Sequence, residues 1–304
     1  MKMQTAITHF QDYLTIQRGC SAGTVKSYSR DLRMFDSYLS VNEWSQDISQ
    51  VTEQQILSFL AYLSHPKDGK QPNSVITRSR KLSSIRSFFT FLRKRKHITH
   101  NPSEDIETPS LPQLEPEYLK IDEYQKLLRT IRELASPFHR DRDLAIFSLF
   151  LATGIRVSEL VGLKLDEVDL ENQSIKVKRK GNKEQSLPLN DEITDLLSCY
   201  LKNRPDVDCD SVFISKKKGA IQANTLHHLS KKYLKLAGIK KKRNGLHLYR
   251  HTFISALLAN DVNPALLQEL AGHRSFETTR RYLHINNHQT KAAVAKITLL
   301  KGEI

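Results

Sequence analysis

Residues 151–190 read LATGIRVSELVGLKLDEVDLENQSIKVKRKGNKEQSLPLN, and three changes of pattern within them decide the fold class. Gly154 ends a helix, because glycine accepts the left-handed conformation that closes helices without strain. VSELVGL, 157–163, resumes apolar residues at helical spacing. Beyond it, two short β-prone runs flank Gly181 and Asn182, turn residues that join antiparallel strands, with Lys180 at the tip or at the last strand position. A helix end, a short helix and a hairpin in one run imply a mainly α domain carrying a small β-hairpin or sheet.

On the C-terminal side helices resume. Helical spacing or end signals mark Asp191 to Lys202, Ala223 to Ala237 before Gly238, His247 to Ala259, Pro264 to Ala271 behind Asn263, and Phe276 to His284 behind Ser275. On the N-terminal side, residues 1–102 read as helices alone. Four apolar-periodic runs stand out: THFQDYLTI, TVKSYSRDLRMFDSYL, TEQQILSFLAYL and SVITRSRKLSSIRSFFTFLRK. Ser21 and Thr52 are the expected N-caps, Gln55 completes a capping box with Thr52, and Pro72, Asn73 and Ser74 open the fourth helix. Between them, residues 103–118 lose all apolar periodicity and are rich in proline and acids, which favours an extended connection. The reading is therefore two domains, 1–102 and 119–304, joined by a linker at 103–118.

The chain of 304 residues carries 47 basic and 33 acidic side chains, a formal charge of +14. About +5 lies before residue 113 and about +9 after it, so both domains are basic. Basic runs at 93–96, 176–183, 216–218 and 240–243 are the electrostatic footprint of phosphate-backbone binding, although any single run also fits a solvated loop. A polyanion gripped by two basic parts is the expectation, with Lys26, Arg30, Arg78, Arg80 and Lys81 of the second and fourth helices as candidate DNA-facing residues. Three scattered cysteines exclude a disulfide framework and a paired-thiolate zinc site. No run reaches the roughly 18 to 20 apolar residues of a membrane helix, and no signal-peptide core opens the chain, so a soluble cytoplasmic protein without a membrane partner is expected.

Candidate chemistry sits in three places. Arg156, between Gly154 and VSELVGL, is placed to enter a cleft, or simply to pair with Glu159 three residues on. In HLYRH, 247–251, His247 and Arg250 share a helix face, so an imidazole and a guanidinium can address one anion. His247 and His251 are also spaced for zinc, but the glutamate of the HExxH pattern is missing. Neither Walker nor dinucleotide glycine signatures occur, so no metal and no nucleotide cofactor is expected. The third place is AGHRSFETTRRYLHI, 271–285, which holds His273 and Tyr282. Read alone, Tyr282 is more simply a core aromatic than a nucleophile.

ATGIRVSELVGL, the lysine of KRKGNKEQSLPL, HLYRH and AGHRSFETTRRYLHI, in this order, resemble the signature of the tyrosine recombinases, the lambda-integrase-type site-specific recombinases. Size and organisation look most like the Xer recombinases and their relatives on mobile elements. The resemblance implies a SAM-like helical core-binding domain followed by a mixed, mostly helical catalytic domain. It implies that Arg156 and Arg250 grip the scissile phosphate, that Lys180 protonates the leaving 5′ oxygen, that His247 assists proton transfer at the nucleophile, that His273 contacts the phosphate and that Tyr282 is the nucleophile. Lys178 and Lys183 compete with Lys180 only weakly. Tyr249 departs from the leucine usual before the second arginine, which bears on local packing. The activity implied is site-specific cutting and rejoining of double-stranded DNA through a 3′-phosphotyrosyl intermediate, by a tetramer on DNA or with a paralogous recombinase. Type IB topoisomerase-like nicking and closing, or an inactive basic DNA-binding protein, are the alternatives.

The residue types suffice on chemical grounds. A free tyrosine ionises near pH 10, so at neutral pH it needs cations to stabilise the phenolate and a base to take its proton. Two guanidiniums and a histidine supply, at the nonbridging oxygens, the stabilisation that a metal gives elsewhere.

Overall fold

The protein is described by a computed structural model covering residues 1–66, 69, 71–109, 116–179, 183–242, 245–260 and 262–272. Its contacts divide the chain into two compact units, Met1–Gln113 and Leu114–Ile304. Each has its own apolar core. No helix among the described residues is long and apolar enough to cross a membrane.

The first unit consists of α1 (Met3–Asp12), α2 (Ala22–Val41), α3 (Glu53–Ser64) and α4 (Val75–Lys94). The first helix starts earlier than its periodicity suggests. Met3 donates its backbone N–H to Gln46, the terminal amine of Met1 pairs with Asp47 at 2.8 Å, and Met3, Ala6, Ile7 and Phe10 line the buried stripe. It continues into one π-turn, Tyr13–Gln17, in which Arg18 N–H reaches back to Tyr13. Ser21 caps α2 and Ser74 caps α4, while Thr52 and Gln55 form the reciprocal capping box that opens α3. The core stacks aromatics from all four helices, with Phe10 against Phe88 and Phe91, and Phe35 against Phe59.

The second unit is built around α6 (Pro137–Thr153), preceded by α5 (Ile121–Leu134). Residues 142 to 150 of α6 are all buried, as a helix enclosed on every side must be. Gly154 ends it with φ of 60°, and an added Cβ would collide with the Phe253 ring, so both conformation and space require glycine. After α7 (Val157–Gly162), β1 (Val168–Asp169), β2 (Ser174–Arg179) and β3 (Lys183–Pro188) form an antiparallel sheet in that order. The hairpin of β2 and β3 has Arg179 opposite Lys183. β1 adds a third strand of two residues, too short for any sequence pattern to show. Ile175 and Val177 alternate inward, with Lys176 and Lys178 outward.

Helices α8 (Asp191–Lys202), α9 (Ala223–Leu236), α10 (His247–Ala259) and α11 (Pro264–Ala271) complete the unit. Tyr249 on α10 is fully buried. Its ring stacks on Phe150 at 5.9 Å, and its hydroxyl shares a 2.8 Å hydrogen bond with Ser230, so the residue that departs from leucine has its own built pocket. Tyr233 donates to Asp143 at 2.6 Å, and Asp143 also accepts from Arg142 at 2.7 and 2.8 Å, which satisfies the charge buried at the centre of α6. A small separate cluster, Phe253, Ile254, Leu258, Leu267 and Ala271, packs α11 onto α10. This packing sets the C-terminal end of α11 beside the start of α7.

Candidate active site

Two helix ends and one helix start meet here. α6 ends at Gly154, α11 ends at Gly272 with φ of 58°, and Arg156 stands directly before α7. The carbonyls at a helix C-terminus lack intrahelical partners and carry the negative end of the dipole, so they attract guanidiniums. Arg250, 7 % exposed on α10, donates from Nη1 to the Gly154 carbonyl at 2.7 Å and from Nη2 to the Ala271 carbonyl. Arg156 donates from Nη2 to the Gly272 carbonyl at 2.8 Å. The two arginines singled out by the sequence, 94 positions apart, are thus brought to adjacent carbonyls of one helix end.

Glu159 organises the other side. One carboxylate oxygen accepts the backbone N–H of Arg156 at 2.9 Å, and the other accepts its Nη1 at 2.8 Å. The pairing with Glu159 and the approach to the cleft, which the sequence left as alternatives for Arg156, occur together. A third guanidinium, Arg179, approaches the same carboxylate at 3.3 Å. In the sequence Arg179 is one of the basic run 176–183. The signal was the alternation of β2, which places residue 179 on the inward side with Ile175 and Val177.

His247 lies one turn before Arg250 on α10. Its imidazole is held below the ordinary value of 6.5, by desolvation first and then by the charges of Arg250, Arg156 and His227. As a residue His247 is exposed, which argues against desolvation as the sole cause, but the three neighbouring cationic groups push in the same direction. The neutral ring it favours at pH 7 is the form that accepts a proton.

Lys180, His273 and Tyr282 lie outside the described residues, as do the helix expected at Phe276 to His284 and part of the linker. Of the competing lysines, Lys178 pairs with Glu167 at 3.1 Å and Lys183 is exposed. Among the described residues no group of three or more His, Cys, Asp or Glu is placed to hold a metal ion.

The candidate DNA-facing residues of the first unit separate. Lys26 and Arg30 are exposed on α2. Arg80, with 40 % of its side chain exposed, pairs with Asp31 and donates to Ser27 at 3.1 Å, while Arg78 is half-buried and donates to Ser64. Lys81 is turned inward, 4 % exposed, with its ammonium 3.4 Å from Asp31. The physical reason is its place one turn before Ile85 on the stripe that carries Phe88, Phe89 and Leu92 into the core, so it offers no surface to a backbone phosphate.

Residues 117–289 match the Phage integrase family, and residues 7–96 match the phage integrase N-terminal SAM-like domain. The chain is 34% identical to the tyrosine recombinase XerC of Caldanaerobacter subterraneus subsp. tengcongensis, covering 97% of this chain and 87% of the relative. It is also 34% identical to the tyrosine recombinase XerD of Listeria monocytogenes, covering 95% of this chain and 97% of the relative. Among solved structures, the XerH recombinase in its post-cleavage complex with difH aligns with a TM-score of 0.74 at 24% identity, over 92% of this chain and 81% of that one. The Tn1549 transposon integrase bound to circular intermediate DNA aligns with a TM-score of 0.78 at 18% identity, over 98% of this chain and 100% of that one.

Proposed function

The chain belongs to the phage integrase family and is a site-specific tyrosine recombinase, and on that premise we propose how its residues divide the work. Residues 1–102 bind the DNA core site, 103–118 connect, and 119–304 carry the chemistry. Arg156 and Arg250 hold the nonbridging oxygens of the scissile phosphodiester. Neutral His247 takes the phenol proton of Tyr282, whose Oη attacks phosphorus. As the P–Oη bond forms, the P–O5′ bond breaks, and Lys180 gives its proton to the departing oxygen. His273 adds a contact to the phosphate. The product is a 3′-phosphotyrosyl bond, and attack by a 5′ hydroxyl from the partner strand reverses the step on a new junction without an external energy source.

The observation that carries this reading is the convergence of the Arg156 and Arg250 guanidiniums on the carbonyls of Ala271 and Gly272, directly before His273 in the chain. Carbonyl oxygens stand there where phosphate oxygens would bind. In the first unit, Lys26, Arg30, Arg78 and Arg80 are proposed to follow the DNA backbone. The working assembly is proposed to be a tetramer on DNA, of this chain or with a paralogous recombinase, acting in the cytoplasm on double-stranded DNA.

The test is a duplex carrying its recombination site with a nick next to the cleavage point, which traps the covalent intermediate. Wild type should give a protein–DNA adduct stable to denaturant, and Tyr282→Phe none. An adduct that survives Tyr282→Phe sinks the assignment of the nucleophile.

A further inference from the structure

Arg179 closes β2 on the strand's inward side, behind Ile175 and Val177. Only 9% of its side chain is exposed. Nη1 lies 3.3 and 3.4 Å from the two oxygens of Glu159 and 3.4 Å from the Ala271 carbonyl, and Nη2 lies 3.2 Å from the Leu270 carbonyl. The guanidinium covers Gly272 so closely that an added Cβ would sit 2.7 Å from its central carbon. Its Nε is buried and finds no hydrogen-bond partner among the described residues.

A buried guanidinium whose Nε has no partner among the described residues is an expensive way to fill an inward strand position, which an aliphatic side chain would fill without desolvating a charge. What the planar fork does, and an aliphatic chain cannot, is hold three separate segments in one register. Those segments are the end of β2, Glu159 of α7 and the last carbonyls of α11. Each leads directly to a proposed participant in the reaction: Lys180 follows Arg179, His273 follows Gly272, and Glu159 holds Arg156.

We propose that Arg179 is a positioning residue, which registers the hairpin against the C-terminal end of α11 so that Lys180 meets the leaving oxygen of a phosphate held by Arg156 and Arg250. The proposal rests on the roles assigned above. Its geometry is its own: no neighbouring strand residue other than Arg179 bonds both Glu159 and the α11 end among the described residues. Burial pushes its guanidinium down from the ordinary value and Glu159 pushes it back, but an arginine starts so high that it keeps its proton. It acts as a fixed cationic clamp and not as an acid.

The experiment compares two nicked duplexes, one with the natural bridging 5′ oxygen at the scissile position and one with sulfur there. A thiolate leaves without prior protonation, since thiols ionise near pH 8.5, so the sulfur duplex removes the need for the acid. In single-turnover cleavage by the full chain, Arg179→Met should be slowed about 100-fold on the oxygen duplex, the scale of an ångström-sized misplacement, and less than about 10-fold on the sulfur duplex. Arg179→Lys keeps the charge without the fork, and should lie between wild type and Arg179→Met with the same rescue by sulfur. Equal losses on both duplexes for the folded variants, or no loss on either, overturn the positioning role. Lys180→Ala separates the two levels of the argument. If sulfur fails to rescue Lys180→Ala, the acid assignment falls and this proposal with it; if sulfur rescues Lys180→Ala but not the Arg179 variants, only the positioning role falls.

Discussion

The two units each gather cationic side chains around one buried carboxylate, Asp31 in the first and Glu159 in the second, and use the arrangement oppositely. In the first, Asp31 is wholly buried between α2 and α4 and accepts from Arg80, Lys81 and Ser84. The carboxylate is the hub and its oxygens are saturated, while the remaining charge of Arg80 reaches solvent. In the second, Arg156 and Arg179 bond the carboxylate of Glu159, Arg250 meets the ends of α6 and α11, and much of the donor capacity of all three is met by backbone carbonyls. Carbonyl dipoles satisfy N–H groups without cancelling net charge. The first arrangement is complete as it stands, whereas the second, among the described residues, is a positive site held in place for an anion.

The two clusters should respond oppositely to mutation. Asp31→Ala leaves the buried Lys81 ammonium without its carboxylate, and should lower the stability of the first unit by about 3 to 5 kcal/mol in urea unfolding of the full chain. Cleavage per folded molecule should hold once protein is saturated with the nicked duplex. Arg250→Ala should do the reverse, with single-turnover cleavage falling about 100- to 1000-fold, the usual loss for one preorganised donor to a developing charge. Loss of folding in place of that rate effect would show the second cluster to be structural as well.

A smaller and more discriminating effect lies in pH. His247 is depressed below 6.5, so the rate should hold down to a limb below that value and fall only as the imidazole takes up a proton. Arg156→Gln removes one of the charges that depress it, and should move the limb upward, toward 6.5, on top of its rate loss. A limb that stays put would separate His247 from the arginine cluster. The stability consequence has the same sign: the unfolded chain protonates His247 first, so acidification from about 6.5 to the folded-state value destabilises the protein. Least of all, Thr52→Ala removes the α3 capping box and should cost about 1 kcal/mol of the first unit's stability with no change in cleavage, which calibrates the Asp31 result against an uncharged loss in the same unit.

Much of this was legible in the sequence because it is local. Caps at Ser21, Thr52, Ser74 and Asn263 bond a backbone N–H two or three residues away, and the stop at Gly154 and the hairpin of β2 and β3 depend on neighbours in the chain. Arg156, His247 and Arg250 were found by spacing and family resemblance. The charge of Lys81 points to solvent, whereas its place on the inward stripe of α4 decides where it lies. Arg179 repeats the case on a strand, where alternation turns a charged residue inward.

The caps of α2, α3 and α4, the stop at Gly154 and the hairpin of β2 and β3 can be read along the chain, since each follows from contacts within a few positions. Long-range packing alone sets which carbonyls the arginines meet, makes Glu159 serve two guanidiniums, and joins β2 to the end of α11 through Arg179. Those bonds cross up to 116 positions, and residue periodicity tells which face turns inward but carries no information about what waits there.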